Sequence, residues 1–104
     1  MKILRPGHLY ELANFEHPEN PGHVIQFIEK EPKEEGSTEL KTINDGTTNE
    51  EVLKVLIDRC QSLYNKFPSR ETALAITRLE EALMWLEKRT RDRIARGVEG
   101  KHEK

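Results

Sequence analysis

Phe67-Pro68-Ser69-Arg70-Glu71-Thr72 closes one helix and opens the next, and the fold is read outward from it. The residue before a proline is steered out of helical geometry, so Phe67-Pro68 stops the helix that precedes it. Ser69 is then a natural N-cap. Thr72 stands where a capping box usually has an acid, and Glu71 puts a carboxylate in the first turn, where the helix dipole favours it. Upstream, Leu53, Leu56, Cys60, Leu63 and Phe67 recur at 3-4-3-4 spacing. Downstream, Ile76, Leu79, Leu83, Leu86 and Thr90 repeat that spacing, flanked by Ala75 and Ala82. Two matching seams joined by about three residues predict an antiparallel helical hairpin.

The outer ends of the hairpin are equally marked. Asp45-Gly46-Thr47-Thr48-Asn49-Glu50-Glu51 runs from a turn into a helix start, with Thr48 or Asn49 as cap and Glu50 and Glu51 in the first turn. Gly97 is a natural C-terminal stop. The hairpin is therefore expected over 48–97, with a frayed tail over 98–104.

Before the hairpin the reading changes to short strands and turns. Leu9–Phe15 is a mixed alternating segment, His23–Glu29 carries the strong β formers Val24, Ile25, Phe27 and Ile28, and Leu40–Ile43 is weaker. Between them lie the turn His17-Pro18-Glu19-Asn20-Pro21-Gly22 and an acidic loop over Glu31–Glu39. The fold class expected is α+β. A small antiparallel β-meander over 8–44 is followed by the two-helix hairpin in a single domain of residues 1–104.

Composition narrows the function. Of 104 residues, 35% are hydrophobic and 35% charged, and a domain this small is marginal alone, so oligomerisation is expected. The single cysteine, Cys60, fits a reducing compartment, and no apolar run is long enough to span a membrane or serve as a signal peptide. A cytoplasmic protein is expected. Residues 1–48 carry 5 Lys/Arg against 9 Asp/Glu, whereas 49–104 carry 12 against 10. That asymmetry is too mild for a nucleic-acid polymer but sufficient for a small anion met by a few guanidinium groups.

Few residues offer chemistry. His8, His17, His23 and His102 do not have metal-ligand spacing, and no metal site or cofactor is expected. Cys60 sits on a helix seam without an evident base, so it reads as a small hydrophobe and not a nucleophile. Asp45-Gly46-Thr47-Thr48 lacks the lysine of a phosphate loop. No convergent acid and base set is present, and catalytic residues are not expected. Lys88-Arg89-Thr90-Arg91-Asp92-Arg93-Ile94-Ala95-Arg96 is different: Arg89, Arg93 and Arg96 share a helical face, so their forks can converge on an anion. Basic residues also favour a helix C-terminus in any case. Trp85, one turn earlier, suits either a core or a stacking platform. The hairpin turn adds Phe67, Ser69 and Arg70 close together.

The stretch Phe67-Pro68-Ser69-Arg70-Glu71-Thr72-Ala73-Leu74-Ala75-Ile76-Thr77-Arg78-Leu79-Glu80-Glu81-Ala82-Leu83-Met84-Trp85 resembles the helical hairpin shared by phage anti-Thoeris and anti-CBASS sponges, which sequester cyclic nucleotide second messengers. The strands before the hairpin favour the anti-Thoeris branch. The resemblance implies a homo-oligomer, dimer to hexamer, with pockets between protomers. It implies a cyclic ADP-ribose isomer as ligand, bound intact in the host bacterial cytoplasm to block a defence system. A cyclic di- or trinucleotide is the alternative ligand. A ligand-free helical interaction module is the alternative of another class.

The family's ligand residues are not carried over position by position, so the expected site follows from what the ligand demands. Arg89 and Arg93 suit the pyrophosphate, with Arg70 at the hairpin turn as a further guanidinium. Phe67, Trp85 or Phe27 suits the adenine, and Thr90 or Asn44 the ribose hydroxyls.

Overall fold

The computed structural model describes residues 1–97, so the tail over 98–104 lies outside the described residues. By its internal contacts the chain divides into two compact units, Met1–Thr48 and a second that begins at Asn49. The architecture is α+β, with five strands followed by two helices.

In the first unit, β1 (Lys2–Arg5), β2 (Leu9–Glu11) and β3 (Val24–Gln26) form an antiparallel sheet in that order. β4 (Glu29–Pro32) and β5 (Leu40–Asn44) form a separate antiparallel pair. β2 and β3 fall within the expected segments Leu9–Phe15 and His23–Glu29, and β5 covers Leu40–Ile43 and adds Asn44. β1 and β4 were not foreseen. β1 is exposed at all four positions, and β4 is charged and ends in a proline, so neither shows the period-two pattern of a half-buried strand. Backbone pairing holds them: Lys30 opposes Thr42, and Pro32 opposes Leu40. The first two residues of the expected acidic loop, Glu31 and Pro32, are therefore strand, and the rest remains a connection between β4 and β5.

Two glycines serve close backbone approaches. A Cβ on Gly22 would stand 1.5 Å from the Leu12 carbonyl oxygen, and one on Gly46 would stand 2.2 Å from that of Gln26. The second approach lets Thr47 N donate to Gln26 O at 2.9 Å and Ile28 N to Thr47 O at 2.9 Å. That pair forms a parallel bridge between Phe27 and Thr47.

In the second unit, α1 (Asn49–Lys66) and α2 (Arg70–Ala95) pack against each other as a hairpin. Ser69 caps α2 as expected. Its hydroxyl oxygen accepts from Thr72 N at 3.1 Å, and the same hydroxyl donates to Thr72 Oγ1 at 2.9 Å, a side-chain link where a capping box would return a bond to the cap's own backbone N–H. Gly97 adopts φ 74°, the left-handed conformation of a helix stop.

The α2 seam is the expected one: Ile76, Leu79, Leu83, Leu86 and Thr90 are all partly shielded, and Thr72 and Arg93 extend it at both ends. The α1 seam is rotated. Leu53, Ile57 and Cys60 are shielded, while Leu56, Leu63 and Phe67 are 43%, 39% and 78% exposed. Among the described residues no apolar side chain is fully buried.

Candidate functional site

The candidate site lies in the last two turns of α2. Arg89, Asp92, Arg93, Ala95 and Arg96 line one open concavity, so three of the arginines of the basic run meet as the helical spacing predicted. Arg93 continues the α2 seam beyond Thr90 and is the one buried residue of the helices among those described, 6% exposed. Neither Arg93 nor Arg96 is without a partner.

Asp92 stands among these cations. Lys88 Nζ donates to its Oδ2 at 2.7 Å, and this bond, reinforced by the charges of Lys88, Arg91 and Arg96, holds the carboxyl below the ordinary aspartate range. The concavity therefore contains a permanent negative charge as well as positive ones. Asp92 and Arg96 were absent from the expected site residues. Arg96 was legible as sharing the face of Arg89 and Arg93. Asp92 carried a subtler signal, an acid in the last turn of a helix, where the dipole disfavours it.

The remaining expected residues do not gather here within one chain. Phe67 is exposed beside the hairpin turn, and Arg70 is the first residue of α2. At about 1.5 Å of rise per residue, Arg70 and Arg89 are separated by roughly 28 Å along the helix axis. Trp85 is one turn before Arg89 and 57% exposed, so it is not a core residue. Thr90 is half-buried on the seam.

Phe27 and Asn44 belong to the first unit and are already occupied there. The Phe27 ring packs edge-on against Tyr10, with centroids 5.9 Å apart and planes at 84°. Asn44 Nδ2 donates to Glu29 Oε1 at 3.0 Å, and the Arg5 guanidinium pairs with the other oxygen of the same carboxylate. Glu29 is buried, and its carboxyl is held below the usual range chiefly by the Asn44 bond, with Arg5 and the charge of His8 adding to it. This is a structural anchor between β4 and β5. Among the described residues no group of His, Cys, Asp and Glu side chains could hold a metal ion.

A helical hairpin with an arginine-lined end, preceded by short antiparallel strands, is the class of structure these observations define. The chain belongs to the Acb2/Tad1 hairpin domain family, which matches residues 20–91 and so runs from the turn before β3 to just short of Arg93. It is similar to Thoeris anti-defense 1 of Bacillus phage SBSphiJ7, with 56% identity over 61 residues, 58% of this chain and 43% of that protein. The matched stretch thus spans less than half of that relative's length. The family resemblance carried by Phe67–Trp85 is borne out.

Proposed function

We propose that this chain sequesters a cyclic ADP-ribose-type signalling nucleotide without cleaving it, and so blocks a Thoeris-type defence in the cytoplasm of an infected cell. The observation that carries the reading is the convergence of Arg89 and Arg93 on one concavity in a chain that is 56% identical, over its matched stretch, to an anti-defence protein. Two guanidinium forks suit a pyrophosphate, and the adenine requires a flat apolar face. Of the three aromatics expected for that face, Phe67 and Trp85 are exposed, whereas Phe27 is engaged by Tyr10. Thr90, beside Arg89, is the hydroxyl for a ribose, whereas Asn44 already gives one amide N–H to Glu29.

The separation of Phe67 and Arg70 from Arg89 favours a site completed by a second copy. An antiparallel neighbour would lay its hairpin turn beside this chain's arginine end and bring platform and forks together. Binding of about −12 kcal/mol, as a nanomolar sponge requires, is more readily reached in a pocket closed between two chains than on an open helix face.

The test is retention. Purified protein is mixed with the cyclic ADP-ribose isomer made by a TIR-domain enzyme, freed of excess ligand, heat-denatured, and the supernatant chromatographed. Intact nucleotide is the expected result, and a parallel arm with cyclic oligonucleotides identifies the alternative ligand. A product of altered mass would mean processing, and no retention of either at micromolar protein would end the reading. Arg89→Ala should weaken retention by at least about tenfold, since a hydrogen bond to a charged group is worth about 1.5–3 kcal/mol. Arg89→Ala with Arg93→Ala should abolish it, with helicity checked by circular dichroism.

A further inference from the structure

α1 carries more apolar surface than one partner helix uses. Leu53, Ile57 and Cys60 are shielded at the hairpin seam, while Leu56 and Leu63 remain exposed beside it. Phe67 N donates to Leu63 O at 2.8 Å, so helical spacing runs on through Phe67. Val52 begins the same line one turn before Leu56. At about 3.6 residues per turn, these four positions form a second stripe to one side of the seam. The exposed Ala75 and Ala82 of α2 fall on that side as well. The opposite side is different, for the groove there includes Lys54, Asp58, Glu80 and Glu87 in its lining. The hairpin thus has one charged edge and one apolar edge.

The geometry points to this apolar edge as the surface on which a second copy of the chain docks, antiparallel, α1 against α1. The stripe is its own complement. A pairing that opposes Leu56 to the partner's Leu63 also opposes Val52 to the partner's Phe67, and a two-fold axis makes each contact twice. An unrelated partner need not match that symmetry. Charge fixes the direction. α1 begins with Glu50 and Glu51 and ends with Lys66, and Arg70 follows at the start of α2. Antiparallel pairing sets each acidic end beside a basic one, whereas parallel pairing would set like beside like. Ala75 and Ala82 are too small to hold the second hairpin away.

The consequence for the nucleotide rests on the reading of Arg89 as part of its site. Residues 54–61 of α1 lie beside 80–87 of α2. Two residues further along that antiparallel alignment, Val52 is level with Arg89. The partner's Phe67, opposed to Val52, therefore arrives beside Arg89 and supplies the platform that one chain keeps at its far end.

Cross-linking of the full chain tests the register. With Cys60→Ala to remove the native thiol, Leu56→Cys and Leu63→Cys are introduced singly and together. Positions seven residues apart on one helix stand about 10.5 Å apart along its axis, too far for an internal disulfide, whose Cα atoms lie within about 7 Å. Mild oxidation should therefore join two chains of the double variant covalently and leave each single variant unjoined. Leu63→Glu should lower the light-scattering mass to half or less of the unmodified value. Met84→Glu, on the charged edge, should leave that mass unchanged, with the helicity of both checked by circular dichroism. If Leu63→Glu does not fold, the cross-link decides. Equal joining in single and double variants, no joining in the double variant, or an unmoved mass for folded Leu63→Glu would overturn the interface. If the joined dimer forms yet retains no cyclic ADP-ribose isomer, the interface stands and the nucleotide reading falls.

Discussion

At the scale of single residues, the charged groups of this chain do two different jobs. Glu29 is enclosed and saturated by Asn44 and Arg5, so it fastens one strand to the next and has nothing left for a ligand. Asp92 and Arg89 are open on a helix face, where a ligand can reach them. Both carboxyls are held below their ordinary values chiefly by one side-chain hydrogen bond, from Asn44 to Glu29 and from Lys88 to Asp92. Glu29 holds its proton less readily when folded than when unfolded, so acid favours the unfolded chain. The stability it contributes is fully present above the ordinary carboxylate value and drains away as pH falls through the lower native value. Melting temperature should therefore drop from about pH 4–5 downwards, and Glu29→Gln should flatten that part of the profile. A profile unchanged by the substitution would show that the anchor contributes nothing to folding.

At the scale of elements, turn chemistry matters more than strand propensity. β1 and β4 lack strand-like patterning, and pairing with β2 and β5 makes them strands. The register depends on Gly22 and Gly46, where only the absence of a Cβ lets two backbones meet. Gly22→Ala and Gly46→Ala should each destabilise the first unit by about 1–3 kcal/mol, the usual range for forced overpacking. Chemical denaturation followed by near-ultraviolet signal would check this, and an unshifted midpoint would mean that the close approaches do not exist in solution. The helices behave in the opposite way. The α2 seam was legible residue by residue because one repeat of apolar positions faces one partner helix. The expected α1 seam held only at Leu53 and Cys60: Ile57 takes the place of Leu56, and Leu63 and Phe67 are exposed. Val55, Leu56 and Ile57 are all apolar, so spacing alone did not decide which of them faces α2.

At the scale of the whole molecule, Phe67, Trp85, Val55 and Ile94 are all more than half exposed, and no apolar side chain among the described residues is fully buried. A chain that shields so little apolar surface is expected to associate. Light scattering at micromolar concentration should give a mass between two and six times 12.1 kDa. A mass of one chain would remove the second copy on which the proposed pocket depends. No helix of the described residues is long and apolar enough to cross a membrane.

The hairpin, the Ser69 cap, the Gly97 stop and the shared face of Arg89, Arg93 and Arg96 were determined by sequence alone, because helix geometry is local and its periodicity is written in neighbouring residues. The expectation of an anion site at the arginine-rich end came from that same local pattern. Tertiary structure decided the rest. Whether Asn44 and Phe27 were available depended on Glu29 and Tyr10, residues distant in sequence whose approach no local pattern records. It likewise decided that Arg93 is buried while Trp85 is exposed, since burial depends on what packs against a helix face. Asp92 belongs to both accounts: its place in the last turn was visible in the sequence, and only the folded chain set it among three arginines in one concavity.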